Sequence, residues 1–294
     1  MKISAVILNY NDADTVKTLT EEICGYKQLD SIILVDNHST DDSKMVLKEL
    51  EAACEKIHTL FLDFNGGYGT GNNAGVRYAV EKCQADYVLI SNPDVVFSEE
   101  CLKKMAGVLE RHEDVAVVTA QMEDAHYGTQ KNGWPLHGFV GELLSMGPVS
   151  RRIFGSFLKY PESYFKNKKA VFADAVHGSL LMVDGRKFLD CGGYDEGIFL
   201  YQEEAVLGKR LKNYGFKTVL LLNCTYRHEH SVSISKSFKG QLERQRLREN
   251  SVLYYLEHYL KAGKIKKAIA RLWFLGIRME IRAASMIKKG EGWK

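Results

Sequence analysis

Four polar segments each follow a short apolar run in the first hundred residues, and they carry side chains that bind phosphates, ribose and divalent cations. They read NYNDAD (9–14), DNHSTDD (36–42), DFNGGYGTGNNAG (63–75) and SNPDV (91–95). Mg²⁺ and Mn²⁺ are commonly held by one or two carboxylates together with the phosphates of a substrate. The four segments therefore indicate a site for a phosphorylated ligand.

Asp36 stands directly after an apolar run, where its carboxylate can accept a hydrogen bond from a pyrimidine base or a ribose. Polar residues after a strand are also ordinary turn and helix-cap residues. Asp94 follows a second apolar run and Pro93, which stiffens the turn that presents the carboxylate. A metal ligand and a helix cap both remain open for Asp94 alone.

The glycine-rich segment from Asn65 to Gly75 lets the backbone approach a ligand and places amide groups at a helix start, which suits a diphosphate. No Gly-Lys-Ser/Thr follows, so the segment is not a P-loop. The Gly67-x-Gly69 spacing stands at the third predicted strand rather than the first, which disfavours a dinucleotide cofactor. A flexible turn is the alternative interpretation.

Alternating strands and helices are predicted to position these segments. The predicted strands are Ile3–Leu8, Ile32–Val35, Thr59–Leu62, Tyr87–Ile90 and Val115–Val118. The predicted helices are Thr15–Cys24, Asp42–Glu55, Ala74–Lys82 and Ser98–Arg111. This rhythm favours an α/β fold with parallel strands and helices on both faces. Ligands collect at the carboxyl ends of such strands, so the polar segments should meet at one edge.

Beyond about residue 120 the pattern loosens, and Gly128–Pro148 is predicted to be a mobile loop. From Lys261 to Lys294 the chain holds ten Lys and Arg against two Glu, an excess larger than the net charge of +3 of the whole chain. Between Lys264 and Ile287, five residues recur at spacings of four and three: Ile265, Ile269, Leu272, Gly276 and Met279. A basic amphipathic helix fits an anionic membrane surface, and packing on the rest of the protein is the alternative.

The composition is that of an ordinary globular protein, with 294 residues, 45% of them hydrophobic and 26% charged. The six cysteines include no CxxC pair and are predicted to be reduced thiols, mostly in the core. The amino terminus turns polar too soon for a secretory signal, and no apolar run approaches the roughly 18 to 20 residues of a membrane span. A cytoplasmic location is therefore expected.

Taken together, the motifs resemble the inverting GT-A glycosyltransferases of family 2, particularly their rhamnosyltransferase-like branch. Seven segments occur in the family's order over about residues 1 to 235: VILNYND, VDNHSTDDS, NGGYGTGNNAG, NPDV, HGSLLM, GGYDEGIFLYQEE and HEHSVS. The resemblance implies a mostly parallel twisted sheet with flanking helices. It also implies a catalytic domain at 1–235, with a nucleotide-sugar half at 1–105 and an acceptor half at 106–235, and a helical basic extension at 236–294.

The activity implied by the resemblance is transfer of a sugar from a nucleotide diphosphate to a glycan or lipid-linked acceptor in cell-surface polysaccharide synthesis. The expected donor is dTDP-rhamnose, with UDP-sugars next, and the expected cofactor is Mn²⁺ or Mg²⁺. Such an enzyme would be cytoplasmic or peripheral at the inner face of the plasma membrane. Nucleic acid is not an expected partner, because the basic tail lacks interleaved aromatic residues.

The resemblance also assigns roles to individual residues. The nucleotide-sugar site would be formed by Asn9, Asn11, Asp36, Asn65, Gly66, Gly71, Asn73 and Asn92. Asp94 would bind the metal, and His228 would complete the metal or diphosphate site, with His230 as a neighbour. Asn92 stands where the family's DxD element has its first Asp, so the site has one carboxylate fewer.

The base is expected in the acidic pair Glu203-Glu204, with Glu204 at the family's usual Asp position and Glu203 as the alternative. A further family acid is Val206 here. Because adjacent helical residues face different ways, only one of the pair should reach the acceptor. A nucleotidyltransferase and a catalytically inactive sugar-nucleotide or polysaccharide-binding homologue are the competing functions, although the first loop lacks the basic residue that a nucleotidyltransferase needs.

Overall fold

The computed structural model describes residues 1–124, 128–229 and 240–291, so the predicted neighbour His230 lies outside the described residues. The strands of this part are β1 (Ile3–Asn9), β2 (Ser31–Asp36), β3 (Ile57–Phe61), β4 (Tyr87–Ser91), β5 (Val95–Val96), β6 (Val115–Asp124), β7 (Gly128–Gln130), β8 (Gly133–Trp134), β9 (Ala170–Ala173), β10 (Ala175–Val176), β11 (Leu180–Asp184) and β12 (Lys217–His228). Its helices are α1 (Ala13–Cys24), α2 (Ser43–Ala53), α3 (Tyr68–Glu81), α4 (Glu99–Arg111), α5 (Phe139–Met146), α6 (Pro148–Phe154), α7 (Glu162–Phe165), α8 (Gly185–Asp190), α9 (Glu203–Asn213), α10 (Gln241–His258) and α11 (Lys264–Glu291).

One large mixed sheet forms the centre of the protein, with strand order β3-β2-β1-β4-β11-β6-β12-β5. The first four strands are parallel to one another, as predicted, and β6 is parallel to β12. The strand at Val115, β6, runs in the same direction as this set but does not pair with it directly, because β11, which is antiparallel to both neighbours, lies between β4 and β6. A strand buried on both faces has the same apolar run in either direction, so its sequence does not report its orientation.

Two apolar layers cover the sheet. One contains side chains of α1, α2 and α4, among them Val16, Leu47 and Leu102. The other contains side chains of α3, α8 and α9, among them Val76 and Phe188. The crossover helices therefore cover both faces, and the loops at the carboxyl ends of the parallel strands are left at one edge.

Helix α3 begins at Tyr68, six residues earlier than predicted, so most of the glycine-rich segment is helical rather than a loop. A Cβ atom on Gly71 would overlap the side chain of Leu8, and one on Gly75 would overlap that of Val6. Both glycines are needed because the helix lies very close to β1. The glycines that suggest a loop in the sequence are thus partly a packing feature.

The segment 128–148 contains β7, β8 and α5, so the prediction of a loop there is wrong. Leu143 and Met146 of α5 are buried against Leu256 of α10 and Phe274 of α11, and Trp273 Nε1 donates to the Leu143 carbonyl at 2.8 Å. The partners that make α5 a stable helix lie more than a hundred residues later in the chain.

Helix α11 buries one face and exposes another. Ala270, Phe274, Ile277 and Ile281 are buried against α5 and α10, so the helix packs on the rest of the protein. The predicted apolar stripe faces away from this contact, and Ile265, the first residue of that stripe, is 79% exposed. None of the helices in the described part of the chain combines the length and apolarity that a membrane span requires.

The cysteine prediction is wrong for two of the six residues. Cys24 at the end of α1 and Cys54 directly after α2 form a disulfide. The two helices pack side by side on one face of the sheet, which brings their carboxyl ends together although the cysteines are 30 residues apart. The other four are free thiols, Cys83, Cys101, Cys191 and Cys224. Cysteine chemistry therefore no longer argues for a reducing compartment.

Candidate active site

The first two polar segments meet at the carboxyl ends of β1 and β2, which pair in parallel with Asn9 opposite Asp36. Asn9 Nδ2 donates to Asp36 Oδ1 at 2.9 Å, and the Ser39 amide donates to Asp36 Oδ2 at 3.1 Å. Asn11, which has a φ of 53°, donates its amide to Ser39 Oγ at 2.9 Å. The three predicted nucleoside residues thus form one cluster. A carboxylate has about four lone-pair sites, so Asp36 keeps capacity to accept further hydrogen bonds.

The glycine-rich loop is joined to this cluster through Asn37, a residue that the sequence reasoning missed within DNHSTDD. Asn37 Nδ2 donates to Asn65 Oδ1 at 2.9 Å and to the Gly67 carbonyl at 3.1 Å. Gly67 has a φ of 89°, and a Cβ atom there would overlap the Phe199 carbonyl. Asn65 and its neighbour Gly66 therefore lie at the same edge as Asp36.

Two residues expected to line the donor site are instead used inside the protein. Asn73 is 4% exposed, and its amide nitrogen donates to the Tyr194 carbonyl at 2.9 Å and to Glu196 Oε1 at 3.0 Å. Its oxygen accepts from the Tyr194 amide. Gly71 faces Leu8. Within the protein, Asn73 anchors the GGYDEG segment to α3, and Gly71 permits close packing against β1.

The short strand β5 pairs with the end of β12 and brings Asp94 next to His228, 134 residues later. His228 Nε2 lies 3.1 Å from Asp94 Oδ1, and the Glu229 amide donates to the Asp94 carbonyl at 2.9 Å. The Asp94 and His228 side chains are 10% and 6% exposed. Within the described ranges, no group of three or more His, Cys, Asp and Glu is arranged to hold a metal, consistent with Asn92 replacing a carboxylate.

The HGSLLM segment lies between this pair and the acidic helix. The rings of His177 and His228 are 5.6 Å apart, and His177 Nδ1 is 3.0 Å from Ser179 Oγ. The Asn92 amide donates to the Ser179 carbonyl at 2.8 Å, which places Asn92 at the same edge. His177 was not among the predicted site residues, although the motif that contains it was recognised.

Helix α9 begins with the acidic pair. A Cβ atom on Gly178 would lie 3.6 Å from Glu204 Oε1, so Glu204 faces the HGSLLM segment. The Tyr68 hydroxyl donates a hydrogen bond to the Gly178 carbonyl at 2.8 Å. Glu203 is 6% exposed, and burial together with the neighbouring Glu204 carboxylate raises the pKa of Glu203 to about 8. The two carboxyl groups face different surroundings, as adjacent helical residues should.

The segment His177–Ser179 therefore lies next to three parts of the predicted site: the Asp94–His228 pair, Asn92 and Glu204. It contacts His228 at one end, holds Asn92 through Ser179, and borders Glu204 at Gly178. A carboxylate and an imidazole lie on one side of this segment and a second carboxylate on the other. This arrangement can bind a cation with its phosphates beside a group that accepts a proton.

Comparison with known proteins agrees with the motifs. A sequence model of Glycosyl transferase family 2 matches residues 4–169. The low-salt glycan biosynthesis hexosyltransferase Agl10 of Haloferax volcanii is 26% identical over 69% of this chain, and the match spans 59% of that relative's length. The rhamnosyltransferase WbbL of Escherichia coli K12 is 25% identical over 81% of this chain and 89% of WbbL. N-acetylglucosaminyl-diphospho-decaprenol L-rhamnosyltransferase of Mycobacterium tuberculosis is 24% identical over 70% of this chain and 68% of that relative.

The fold is also shared with a solved glycosyltransferase. The mannosyltransferase PcManGT of Pyrobaculum calidifontis, in complex with GDP-Man and Mn²⁺, superposes with a TM-score of 0.61 at 13% identity, over 99% of this chain and 80% of PcManGT. The architecture of the described residues is accordingly the GT-A fold, as predicted. Since the family model matches more than half of the chain, the protein belongs to glycosyl transferase family 2.

Proposed function

We propose that this glycosyltransferase moves a sugar, with inversion, from a nucleotide diphosphate to a hydroxyl group of a glycan or lipid-linked acceptor. The observation that carries the proposal is the link from the Asp94–His228 contact through His177–Ser179 to Glu204. Inverting transfer needs a base that removes the acceptor proton as its oxygen attacks the anomeric carbon. It also needs positive charge beside the departing diphosphate.

The cation would be Mn²⁺ or Mg²⁺, held by Asp94 and His228. Their carboxylate oxygen and imidazole nitrogen are donors that Mn²⁺ accepts, and both are nearly buried within hydrogen-bond distance of each other. Two protein ligands leave coordination positions for phosphate oxygens. When bound, the cation neutralises charge on the leaving diphosphate. Asn92 adds no negative charge to the site, so we expect modest metal affinity in the absence of donor.

The base would be Glu204. Glu203, with a pKa of about 8, is mostly protonated at neutral pH and is buried, so it is poorly suited to accept a proton from the acceptor. Glu204 is partly exposed and borders the HGSLLM segment. Asp36, with Asn9 and Asn11, would hold the nucleoside, and Asn65 and Gly66 would border the donor.

For the donor we propose dTDP-rhamnose, with UDP-sugars as the next choice, and for the acceptor a lipid-linked glycan of cell-surface polysaccharide synthesis. The names of two relatives support this choice, since both are rhamnosyltransferases and one name specifies a diphospho-decaprenol acceptor. Because Agl10 is a hexosyltransferase, nucleotide-linked hexoses are also included among the donors to be tested.

The decisive experiment combines donor binding with transfer. Thermal stabilisation by dTDP-, UDP- and GDP-sugars is measured with and without Mn²⁺, because a ligand at about 100 times its Kd adds about 2.7 kcal/mol. Transfer to a diphospho-lipid glycan is then measured with the stabilising donor. Metal-dependent stabilisation and an inverted product support the proposal. Binding without turnover indicates an inactive homologue, and turnover of a nucleoside triphosphate with a sugar phosphate indicates a nucleotidyltransferase.

The outward apolar stripe of α11 would contact an anionic membrane at the inner face of the cell membrane. At about 100° per residue, the stripe lies roughly 150° around the helix from the buried face, so packing within the chain does not account for it. Ile265, Leu272 and Met279 are 79%, 70% and 62% exposed. Cations line one flank of the stripe, including Lys264 and Arg271. Apolar insertion with adjacent positive charge is the pattern of an interfacial helix.

Helix α6, which packs beside the buried face of α11, also exposes apolar side chains. A Cβ atom on Gly147, at its start, would lie 3.3 Å from Ile277 of α11, so the two helices are neighbours. Ile153 in α6 and Phe157 just after it are 66% and 70% exposed. Co-sedimentation with vesicles tests the contact: binding to phosphatidylglycerol vesicles with little binding to phosphatidylcholine vesicles is expected, and no binding to either contradicts it.

A further inference from the structure

The turn that leads into the acidic pair has an unusual backbone. Tyr201 and Gln202 both have a φ of 72°, and α9 begins at the next residue, Glu203. The left-handed region is unfavourable for a non-glycine residue, because its Cβ atom comes close to the following carbonyl oxygen. Such a conformation persists only where the surrounding structure determines it. Whatever holds this turn therefore also sets the position of Glu203 and Glu204.

Contacts from three elements hold the turn. The Tyr68 amide of α3 donates to the Phe199 carbonyl at 3.0 Å, and Ser251 Oγ of α10 donates to the Leu200 carbonyl at 2.6 Å. Both bonds are made to carbonyls before the left-handed pair. The third contact is made by one of the two left-handed residues: Gln202 Nε2 donates to Glu142 Oε2 of α5 at 2.8 Å.

Glu142 is an unexpected residue for its surroundings. It is 4% exposed, its next neighbour Leu143 is buried in the apolar cluster of α5, α10 and α11, and burial raises the pKa of Glu142 to about 7. Its other oxygen lies 4.0 Å from His137 Nδ1. Burial, and after it the nearby charge of Glu142, raises the pKa of Tyr255 of α10. A buried carboxylate is costly unless it is hydrogen-bonded, so packing alone would favour an apolar side chain. The structural contribution of the Glu142 carboxylate is therefore the hydrogen bond that it accepts from Gln202.

We propose that Glu142 is a positioning residue for the acidic pair. It fixes Gln202 in the left-handed conformation and thereby sets the direction in which α9 presents Glu204 to the acceptor. The proposal rests on the proposed function, in which Glu204 is the base. Glu142 acts through Gln202 and does not touch the reacting atoms. Because the Trp273 side chain donates to the carbonyl of Leu143, α5 also ties the carboxyl-terminal helices to the base.

The test compares three variants with a matched control. Glu142→Gln keeps an oxygen that accepts from Gln202, whereas Glu142→Leu and Gln202→Leu each remove the bond. The control is Glu249→Gln in α10. Glu249 is also a buried carboxylate, but it contacts Gln245 and Arg278 instead of the turn. The measurements are kcat and KM for the acceptor, Kd for the donor, and hydrogen exchange of the amides from Tyr201 to Val206.

For Glu142→Leu and Gln202→Leu, kcat should fall by about 10²-fold, since a misplacement of about 1 Å has that effect, while donor Kd stays unchanged. The amides from Tyr201 to Val206 should exchange faster. Glu142→Gln and the control should resemble the wild type in kcat and in the hydrogen exchange of these amides. If Glu142→Leu does not fold, Gln202→Leu tests the same bond at a half-buried position.

Three results would overturn the positioning role: unchanged kcat in both leucine variants, an equal loss in Glu142→Gln, or a loss of donor affinity that matches the loss of kcat. Unchanged hydrogen exchange in the turn would overturn it as well, and this readout does not depend on the reaction. Failure of the proposed function is separate, because it appears as absence of sugar transfer by the wild type, whereas hydrogen exchange in the turn can still be measured.

Discussion

The carboxyl groups of Glu203 and Glu204 lie in different surroundings although the residues are adjacent. Glu204 borders Gly178, and Glu203 is buried with a raised pKa. We therefore expect Glu204→Gln to lower kcat by about 10²- to 10⁴-fold, the usual contribution of a general base. Donor Kd should change little, because the role proposed for Glu204 is toward the acceptor. Steady-state kinetics and donor titration check both values.

Glu203→Gln is the matched control for this substitution. It replaces a mostly protonated carboxyl group with an amide of the same size, so turnover should remain close to that of the wild type. A larger loss of kcat in Glu203→Gln than in Glu204→Gln would assign the base to Glu203 instead.

The raised pKa of Glu203 also predicts how stability depends on pH. Its value is about 8 in the folded protein and near 4.5 in the unfolded chain, so the folded state holds a proton that the unfolded state releases between these values. The contribution of Glu203 to the free energy of unfolding is therefore greatest below about pH 4.5 and falls as pH rises toward 8. Glu203→Gln should gain stability relative to the wild type between pH 5.5 and 8. Urea unfolding of both proteins at each pH measures this difference, and a constant difference would contradict the assignment.

At the scale of elements, the contact between α3 and β1 can be tested with two glycines. A Cβ atom on Gly75 of α3 would overlap Val6, whereas one on Gly107 of α4 has no atom closer than 3.5 Å. We expect Gly75→Ala to lower the free energy of unfolding by about 1 to 3 kcal/mol through overpacking. Gly107→Ala should raise it by up to about 1 kcal/mol, because alanine is the better helix former. Urea unfolding distinguishes the two, and equal effects would show that α3 can move away from the strand.

The accuracy of the predictions for each element follows from how local its determinants are. Strands β1, β2 and β4 and helices α1, α2 and α4 were predicted nearly in full, because each carries its own apolar period or cap. Helix α5 was missed because its buried face is explained only by α10 and α11. The start of α3 was missed because glycines that allow close packing look the same in sequence as glycines of a loop.

The same distinction separates the site residues. Asn9, Asp36, Asp94 and His228 were expected in the site from the motifs, and the structure brings Asn9 to Asp36 and Asp94 to His228. The side chain of Asn73 was assigned to the donor, but it bonds to Tyr194, which is 121 residues away in the chain. A motif gives the type and order of its residues, and only the tertiary contacts decide which way each side chain faces.

At the scale of the whole molecule, α10 and α11 are part of the structure around the proposed base as well as a basic extension. Ser251 of α10 holds the Leu200 carbonyl, and Trp273 of α11 bonds to α5, whose Glu142 contacts Gln202. Removal of the extension would thus disturb the acidic pair. A boundary near residue 235 between a catalytic domain and an extension remains a prediction, and these contacts argue against independent behaviour of the two parts.

This arrangement determines how membrane contact has to be tested. Truncation after Gly263 removes the buried Phe274 and Ile277 together with the outward stripe, so we expect it to lower both the melting temperature and turnover. Substitution of the stripe alone, Ile265→Ser with Leu272→Ser, removes exposed apolar surface and should leave the melting temperature and transfer to a water-soluble acceptor analogue unchanged. Binding to phosphatidylglycerol vesicles should fall by about 10-fold or more, since burying each of these side chains contributes about 1.5 to 3 kcal/mol. Vesicle binding that survives the double substitution but weakens when Lys264 and Arg271 are changed to Ser would show that charge, without apolar insertion, supports the contact.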